Sequence, residues 1–318
     1  MAEITEKIES FRKEWESETP YILAHTSGST GKPKEIRLPK SDMIASAKAT
    51  IELFGLNSGS RIAAALSPEF IAGKMMCVRA QVARCTLVAV EPARQNLNLD
   101  AALPLNLLAI VPTQIPSLMA RRDYTERISN LLVGGSAMTR AQRELLVDSG
   151  IRAWESYGMT ESCSHVALRR VSRDESLPFE AMPGISFETD DRGCLCVKSE
   201  NFSWELLRTN DCVELLDEHH FIFKGRADNA IVSGGLKLHP EELEKEYAPA
   251  IGEREFYVCG RPDDTWGAVA VLVVEGGKIE GLDKKIASVV DDRRRLPKAI
   301  IYKEKLPRTA NGKLIRTC

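Results

Sequence analysis

Between residues 3 and 16 the apolar side chains Ile4, Ile8, Phe11 and Trp15 recur every three or four positions, the spacing of one helical face. Pro20 stops that pattern, and Tyr21-Ile22-Leu23-Ala24 reads as a short strand over 21–25. A helix is predicted over 42–54, with Ser41 as its cap and Gly55 closing it. Residues 61–66 then read as a strand, 70–84 as a mostly apolar helix, and 86–90 and 107–111 as strands. Pro112 suits a first helical turn. Residues 131–133 form a strand ending in Gly134-Gly135, Thr139 and Gly150 bracket a helix, and 151–155 return as a strand. Strands alternating with helices predict a mainly parallel α/β sheet, in which ligands sit beyond the carboxyl ends of the strands. The glycines at 28–31, 134–135 and 158 all follow predicted strands, so they can line one crevice.

After residue 185 short strands with turn signals dominate, at 185–188, 194–198, 212–216 and 220–224. This predicts a smaller β-rich subdomain. From Arg226 onward an α+β unit is expected, with a helix from Pro240, strands near 255–260 and 268–274, a helix over 281–292 and a strand at 299–303. A length of 318 residues fits about two domains. The expected division is 1–226 and 227–318.

Composition changes this picture little. The chain is 43% hydrophobic and 28% charged with a net charge of −2, so it has neither the signature of disorder nor an overall basic footprint for nucleic acid. None of the eight cysteines forms a Cys-x-x-Cys pair, and Cys194 and Cys196 lack a second pair that would complete a zinc site. They read as reduced thiols of a cytoplasmic protein. No run is long enough to span a bilayer, and residues 1–18 lack a signal-type apolar core.

The candidate chemistry begins at Thr26-Ser27-Gly28-Ser29-Thr30-Gly31-Lys32-Pro33-Lys34. Glycines allow close backbone approach, and hydroxyls, free N–H groups and lysines suit a polyphosphate. It is not a Walker A loop, because Pro33 stands where Ser or Thr should follow the lysine. A Gly/Ser/Thr cluster alone would be a polar turn. The full string resembles the phosphate loop of adenylate-forming enzymes, which include acyl-CoA synthetases, luciferases and peptide-synthetase adenylation domains.

Four further motifs match that superfamily in order, a glycine segment at 134–137 resembles it too, and the resemblance covers nearly the whole chain. Ser156-Tyr157-Gly158-Met159-Thr160-Glu161 resembles its adenine and Mg²⁺ motif. The resemblance implies that Tyr157 flanks the adenine, Thr160 contacts phosphate and Glu161, a hard oxygen ligand, holds Mg²⁺. Alone the pattern would be a strand-to-helix turn. Gly134-Gly135-Ser136-Ala137 resembles the segment lining the adenine and acyl pockets, which implies nucleotide contacts from Gly135 and Ser136. In Arg208-Thr209-Asn210-Asp211 the implied ribose ligand is Asp211, and Asn210 replaces a usual glycine in a turn that asparagine can still make. Arg226 would also bond the ribose, Asp228 would be the hinge, and Gly234-Gly235 would leave room for a thiol-bearing pantetheine arm. Leu306-Pro307-Arg308-Thr309-Ala310-Asn311-Gly312-Lys313 matches the catalytic-lysine motif, so Lys313 would offset charge in the adenylation transition state.

The implied fold is a large N-terminal α/β domain with a small β-rich subdomain, followed by a mobile α+β C-terminal domain. Typical members carry a large segment before the phosphate loop, whereas about 25 residues precede it here. The N-terminal domain is therefore expected to be truncated. The implied reaction uses ATP, Mg²⁺ and CoA. The alternatives are an enzyme that loads a carrier protein or uses another acid, and a non-catalytic nucleotide binder. Residues 71–80 with Val111-Pro112-Thr113-Gln114 resemble o-succinylbenzoate–CoA ligases of menaquinone biosynthesis, although a core helix with two polar residues would look the same. That acid keeps one carboxylate unreacted, and a buried carboxylate needs a cation. Lys74 and Arg79 are the candidates. They lie about 140° apart around a helix, and Arg79 matches the ligase pattern. No nucleic-acid partner or membrane span is expected, and a homodimer is admitted but not demanded.

Overall fold

The structure is a computed structural model that describes residues 2–26, 34–93, 95–308 and 314–318. The chain divides into two compact units. One comprises Met1–Glu188, Val197–Leu207 and Leu216–Phe221, the other Thr189–Cys196, Arg208–Leu215 and Ile222–Cys318.

In the first unit α1 (Ala2–Glu16) presents the expected face. Phe11, with Ile8 and Trp15, packs into a cluster with Ile22, Met43, Met75 and Val78. β1 (Tyr21–Thr26) then pairs antiparallel with β2 (Lys34–Pro39), Thr26 facing Lys34. β2 was not expected, although its apolar Ile36 and Leu38 alternate with polar neighbours as a half-buried strand requires.

α2 (Lys40–Phe54) starts directly after Pro39 with no side-chain cap, and the Ser41 hydroxyl bonds to Asp42 instead of capping. Gly55 closes it as expected. There follow β3 (Arg61–Ala64), α3 (Ile71–Ala83), β4 (Thr86–Ala89) and β5 (Leu107–Ile110). A 3₁₀ turn over Pro112–Gln114 leads into α4 (Ile115–Met119) and α5 (Arg122–Thr125). β6 (Leu131–Val133), α6 (Arg140–Ser149) and β7 (Ala153–Gly158) complete the parallel part. α6 carries the expected cap: Gln142 N–H donates to Thr139 Oγ1 (3.2 Å) and Thr139 N–H to Gln142 Oε1 (2.9 Å). The strands run β4-β3-β5-β6-β7, all parallel. Their apolar runs are covered by helices, as two-sided burial demands.

The switch to antiparallel pairing comes before residue 185. β8 (His165–Arg170) pairs with β7, and β9 (Phe179–Ala181) with β8. β10 (Ile185–Thr189), β11 (Cys194–Ser199), β12 (Leu206–Asp217) and β13 (His220–Arg226) follow, and each runs through residues of both units. In the first unit Phe221 of β13 pairs with Phe179 of β9.

The second unit continues through a 3₁₀ turn, Ala227–Asn229, into β14 (Ile231–Ser233), β15 (Leu236–Leu238) and α7 (Pro240–Ile251). β16 (Phe256–Asp263), β17 (Gly267–Glu275), α8 (Leu282–Val289) and β18 (Ala299–Lys303) complete it. The strand order is β15-β14-β17-β16, with β18 parallel to β17. α8 ends earlier than the expected 292, because a 3₁₀ turn over Arg293–Arg295 begins on the side chain of Asp292. Leu243, Tyr247, Ile251, Leu272 and Ile286 are fully or almost fully buried in its core.

One expectation about the cysteines is corrected. Cys259 and Cys318 form a disulfide, with their Cα atoms 6.0 Å apart, inside the range such a bond allows. Their separation of 59 positions hides the pairing from any spacing rule. Among the described residues no helix is long and apolar enough to cross a membrane.

Candidate functional site

Of the expected phosphate-loop residues, Ser27, Gly28, Ser29, Thr30 and Gly31 lie outside the described residues, as does Lys313. Thr26 and Lys34 are placed by their backbones, opposite one another at the ends of β1 and β2.

Gly134, Gly135 and Ser136 leave the carboxyl end of β6, next to the end of β7, with Val133 paired to Glu155. Tyr157 stands near the end of β7. Its ring meets Phe221 edge-on at 5.0 Å and Phe179 at 5.8 Å, while Phe179 and Phe221 stack at 5.4 Å. A half-buried phenol ring is thus fixed against an aromatic wall.

Thr160 and Glu161 follow in a turn that leads to another strand, not to a helix, because the chain reverses into antiparallel β8. The turn is tight. Cys163 N–H donates to Thr160 O (2.9 Å), and Met159 N–H to Ser162 Oγ (3.0 Å). Gly158 is required here, because a Cβ would lie 2.1 Å from Ser164 O and 2.6 Å from His165 Cα. These are backbone atoms that cannot step aside.

Beneath this turn lies a buried ion triad that the sequence did not disclose. Glu155 accepts from Arg143 Nη2 (3.0 Å) on α6 and from Arg169 Nε (2.8 Å) on β8. Burial pushes the Glu155 carboxyl up, but the two guanidiniums more than reverse this and hold it below its ordinary value. Arg169 also lies over the Phe179 ring at 4.5 Å. One carboxylate therefore fixes β7 on both sides, two residues before Tyr157 and on the same face. Strand pairing could have offered a signal, because Glu155 and Arg169 are cross-strand partners, but neither β8 nor its register was expected.

Arg79 is 1% exposed, and among the described residues it makes no ion pair with a carboxylate. Its Nη2 donates to Ser164 Oγ (2.6 Å) and its Nη1 reaches Met76 Sδ (3.5 Å), while Nε has no acceptor. Burial pushes its pKa down to about 9. Lys74 behaves differently. Its ammonium pairs with Glu14 of α1 (3.2 Å) and lies over the Phe11 ring at 4.7 Å. The two cations are not brought together. Gln114 is also consumed structurally, since its Nε2 donates to Ala65 O and Ala93 O and its Oε1 accepts from Val111 N–H.

In the second unit Asp211, 8% exposed, accepts from Arg226 Nη1 (2.9 Å). Arg226 Nη2 and Asn210 Nδ2 both donate to Asp228 (3.0 and 3.3 Å). The expected turn at Asn210 is corrected. Residues 208–211 lie inside β12, where Asn210 needs no positive φ because the strand is continuous. Gly234 and Gly235 form the two-residue loop between β14 and β15, at φ +55° and +81°. Two consecutive positive φ angles suit glycine. At Gly234 a Cβ would also lie 2.5 Å from the Trp266 ring.

Both flanks of residues 309–313 are described. Arg308 bridges Leu314, and Ile315 N–H donates to Pro307 O (2.8 Å). Arg316 Nη2 bonds Glu244 (2.9 Å), and Thr317 O accepts from the Tyr257 hydroxyl (2.6 Å). Among the described residues no three His, Cys, Asp or Glu side chains gather as a metal site. Glu161 as a single carboxylate fits Mg²⁺, which ordinarily takes one or two carboxylates with substrate phosphates and waters.

A family profile described as AMP-binding enzyme matches residues 2–185. A 2-succinylbenzoate–CoA ligase from Listeria monocytogenes is 25% identical over 99% of this chain and 73% of its own length. Among solved structures, an acyl-CoA synthetase (AMP-forming)/AMP-acid ligase II-like protein from Dyadobacter fermentans is 31% identical. It has a TM-score of 0.64, with 97% of this chain and 91% of that one covered. The o-succinylbenzoate coenzyme A synthetase (MenE) from Bacillus subtilis, in complex with ATP and magnesium ion, is 23% identical with a TM-score of 0.78. It covers 92% of this chain and 68% of that one, and the likeness is one of fold.

Proposed function

Because the chain belongs to the AMP-binding enzyme family, we propose that it is an ATP-dependent acid–CoA ligase whose acid is o-succinylbenzoate. The observation that carries the acid is Arg79. A buried guanidinium without a carboxylate partner is costly and is relieved by a ligand that brings one. A dicarboxylic acid can react at one carboxylate and place the other on Arg79. Lys74 is already neutralised by Glu14 and has no comparable need.

In the first step a carboxylate oxygen attacks the α-phosphorus of ATP, pyrophosphate leaves and acyl-AMP forms. In the second the CoA thiol attacks the acyl carbonyl, AMP leaves and the thiol proton passes to solvent. The residues from Thr26 to Lys34 would hold the phosphates with Thr160. Gly135, Ser136 and Tyr157 would flank the base. Asp211 would accept from the ribose hydroxyls, with Arg226 fixing its carboxylate. Glu161 would hold Mg²⁺, which supplies charge neutralisation on the phosphates. The Gly234-Gly235 loop, having no side chains, would let the pantetheine arm pass. Residues 227–318 would form the cap that carries Lys313, with Asp228 as its hinge. Limited proteolysis tests that boundary, and cleavage only at points remote from 226–230 would reject it. A reaction on soluble ATP and CoA supports a cytoplasmic setting, and recovery of the protein in another cell fraction would overturn it.

The test is thioester formation with ATP, Mg²⁺, CoA and a panel of acids that includes o-succinylbenzoate. The native chain should prefer that diacid. In Arg79→Ala the diacid-to-monoacid ratio of kcat/KM should fall by about 10², through KM for the diacid. An unchanged ratio would remove the substrate assignment.

A further inference from the structure

We propose that Ser164 and His165 are positioning residues that aim the Arg79 guanidinium at the second carboxylate of the acid. This rests on the reading of Arg79 given above. The hydroxyl protons set a direction along a buried chain of hydrogen bonds. Thr50 Oγ1 donates its single proton to Ser46 O (3.1 Å). It can therefore only accept from His165 Nε2, 3.1 Å away. His165 is then protonated at Nε2, and its Nδ1 is an acceptor. The neighbour of Nδ1 is Ser164 Oγ, at 3.2 Å, so the serine proton points to the imidazole. The serine oxygen is left to accept from Arg79 Nη2 at 2.6 Å.

Every link has one consistent direction. Arg79 donates to Ser164, Ser164 to His165, His165 to Thr50, and Thr50 to the backbone of α2. Arg79, His165, Thr50 and Ser46 are buried and Ser164 is half-buried, so water is kept from the Thr50–His165 end of the chain and from the guanidinium. Burial, and then the nearby Arg79 charge, hold His165 well below its ordinary pKa. A neutral imidazole is what the chain requires, because an imidazolium would lose the acceptor and add a second cation.

The geometry also explains why an arginine can be aimed here. The Ser164 and His165 backbone packs closely against Gly158 at the end of β7, so the backbone that carries the serine hydroxyl is held in place. The hydroxyl engages Nη2, and among the described residues the only other hydrogen-bond partner of the guanidinium is the weak acceptor Met76 Sδ. Nε–H is left without a partner among the described residues. Neither Ser164 nor His165 stood among the residues chosen from the sequence.

The experiment compares o-succinylbenzoate with a monocarboxylic aryl acid. Ser164→Ala and His165→Phe should each lower the diacid-to-monoacid ratio of kcat/KM about tenfold, with the change in KM for the diacid. His165→Asn should recover part of the ratio, because its carboxamide oxygen can accept from Ser164. A loss shared equally by both acids would assign these residues to folding alone and overturn the proposal. If Arg79→Ala collapses the ratio while Ser164→Ala leaves it intact, the relay is wrong and the Arg79 reading stands. If Arg79→Ala leaves the ratio intact, both fall. A ¹⁵N spectrum of the histidines in the unmodified protein is independent of any variant. His165 should appear as the neutral Nε2–H tautomer, and an Nδ1–H or doubly protonated ring near pH 7 would overturn the assignment.

Discussion

Glu155→Gln is expected to cost about 3–5 kcal/mol of stability, the usual result of removing one partner from a buried ion pair. The substitution takes the buried carboxylate charge from two guanidiniums at once, with the Arg143 and Arg169 side chains only 3% and 7% exposed. Arg169 keeps the Glu175 and Leu177 carbonyls and Arg143 a 3.8 Å pair with Glu175. Thermal unfolding should fall by roughly 10 °C, and a shift within a degree or two would show that the triad contributes little. The acid limb carries the same information. The folded-state pKa of Glu155 lies below its ordinary 4.5, so its contribution is fully present above that value. It is lost as pH falls through the lower folded-state value. The native chain should show this step in its stability profile below about pH 4.5, and Glu155→Gln should lack it.

Lys313→Ala is expected to lower acyl-AMP formation by about 10²–10³, the scale of one charge-stabilising group lost from a transition state. Acid-dependent ATP–pyrophosphate exchange reads that step alone. Thiolysis of supplied acyl-AMP should suffer far less, since pyrophosphate has already left. An equal loss in both half-reactions would deny Lys313 its specific role. The flanks of residues 309–313 make the comparison interpretable, because Leu314 bridges Arg308 and Arg316 is fastened to Glu244 without using residue 313.

The parallel half of the fold was legible because its signals are local. Apolar runs such as Leu107–Ile110 and Leu131–Val133 sit between helices with readable ends, and the Thr139–Gln142 capping box and Gly150 mark α6 in four and one residues. The antiparallel strands were less legible. β2, β8 and β9 are short or mixed in polarity, and their pairing depends on partners far along the chain. Asn210 misled for a different reason. A residue that tolerates a turn was read as making one, whereas twelve residues of continuous strand decide its conformation. In the candidate site, side chains with a motif around them could be named. Glu155, Ser164 and His165 could not, because their roles arise from contacts across β7, β8, α2 and α3. Arg79 lay between these cases. Its type and its match to the ligase pattern already favoured it over Lys74, and the structure adds its burial without an acidic partner, where Lys74 has Glu14.

β17 is covered along one side by β16, and on the other by β14 and β18, and residues 269–274 are buried. In hydrogen-exchange terms those amides should open only when the whole second unit unfolds. A sheet locked through its central strand has no internal place to bend. The rearrangement proposed for residues 227–318 would then have to be absorbed outside this sheet, whose interior would stay unchanged.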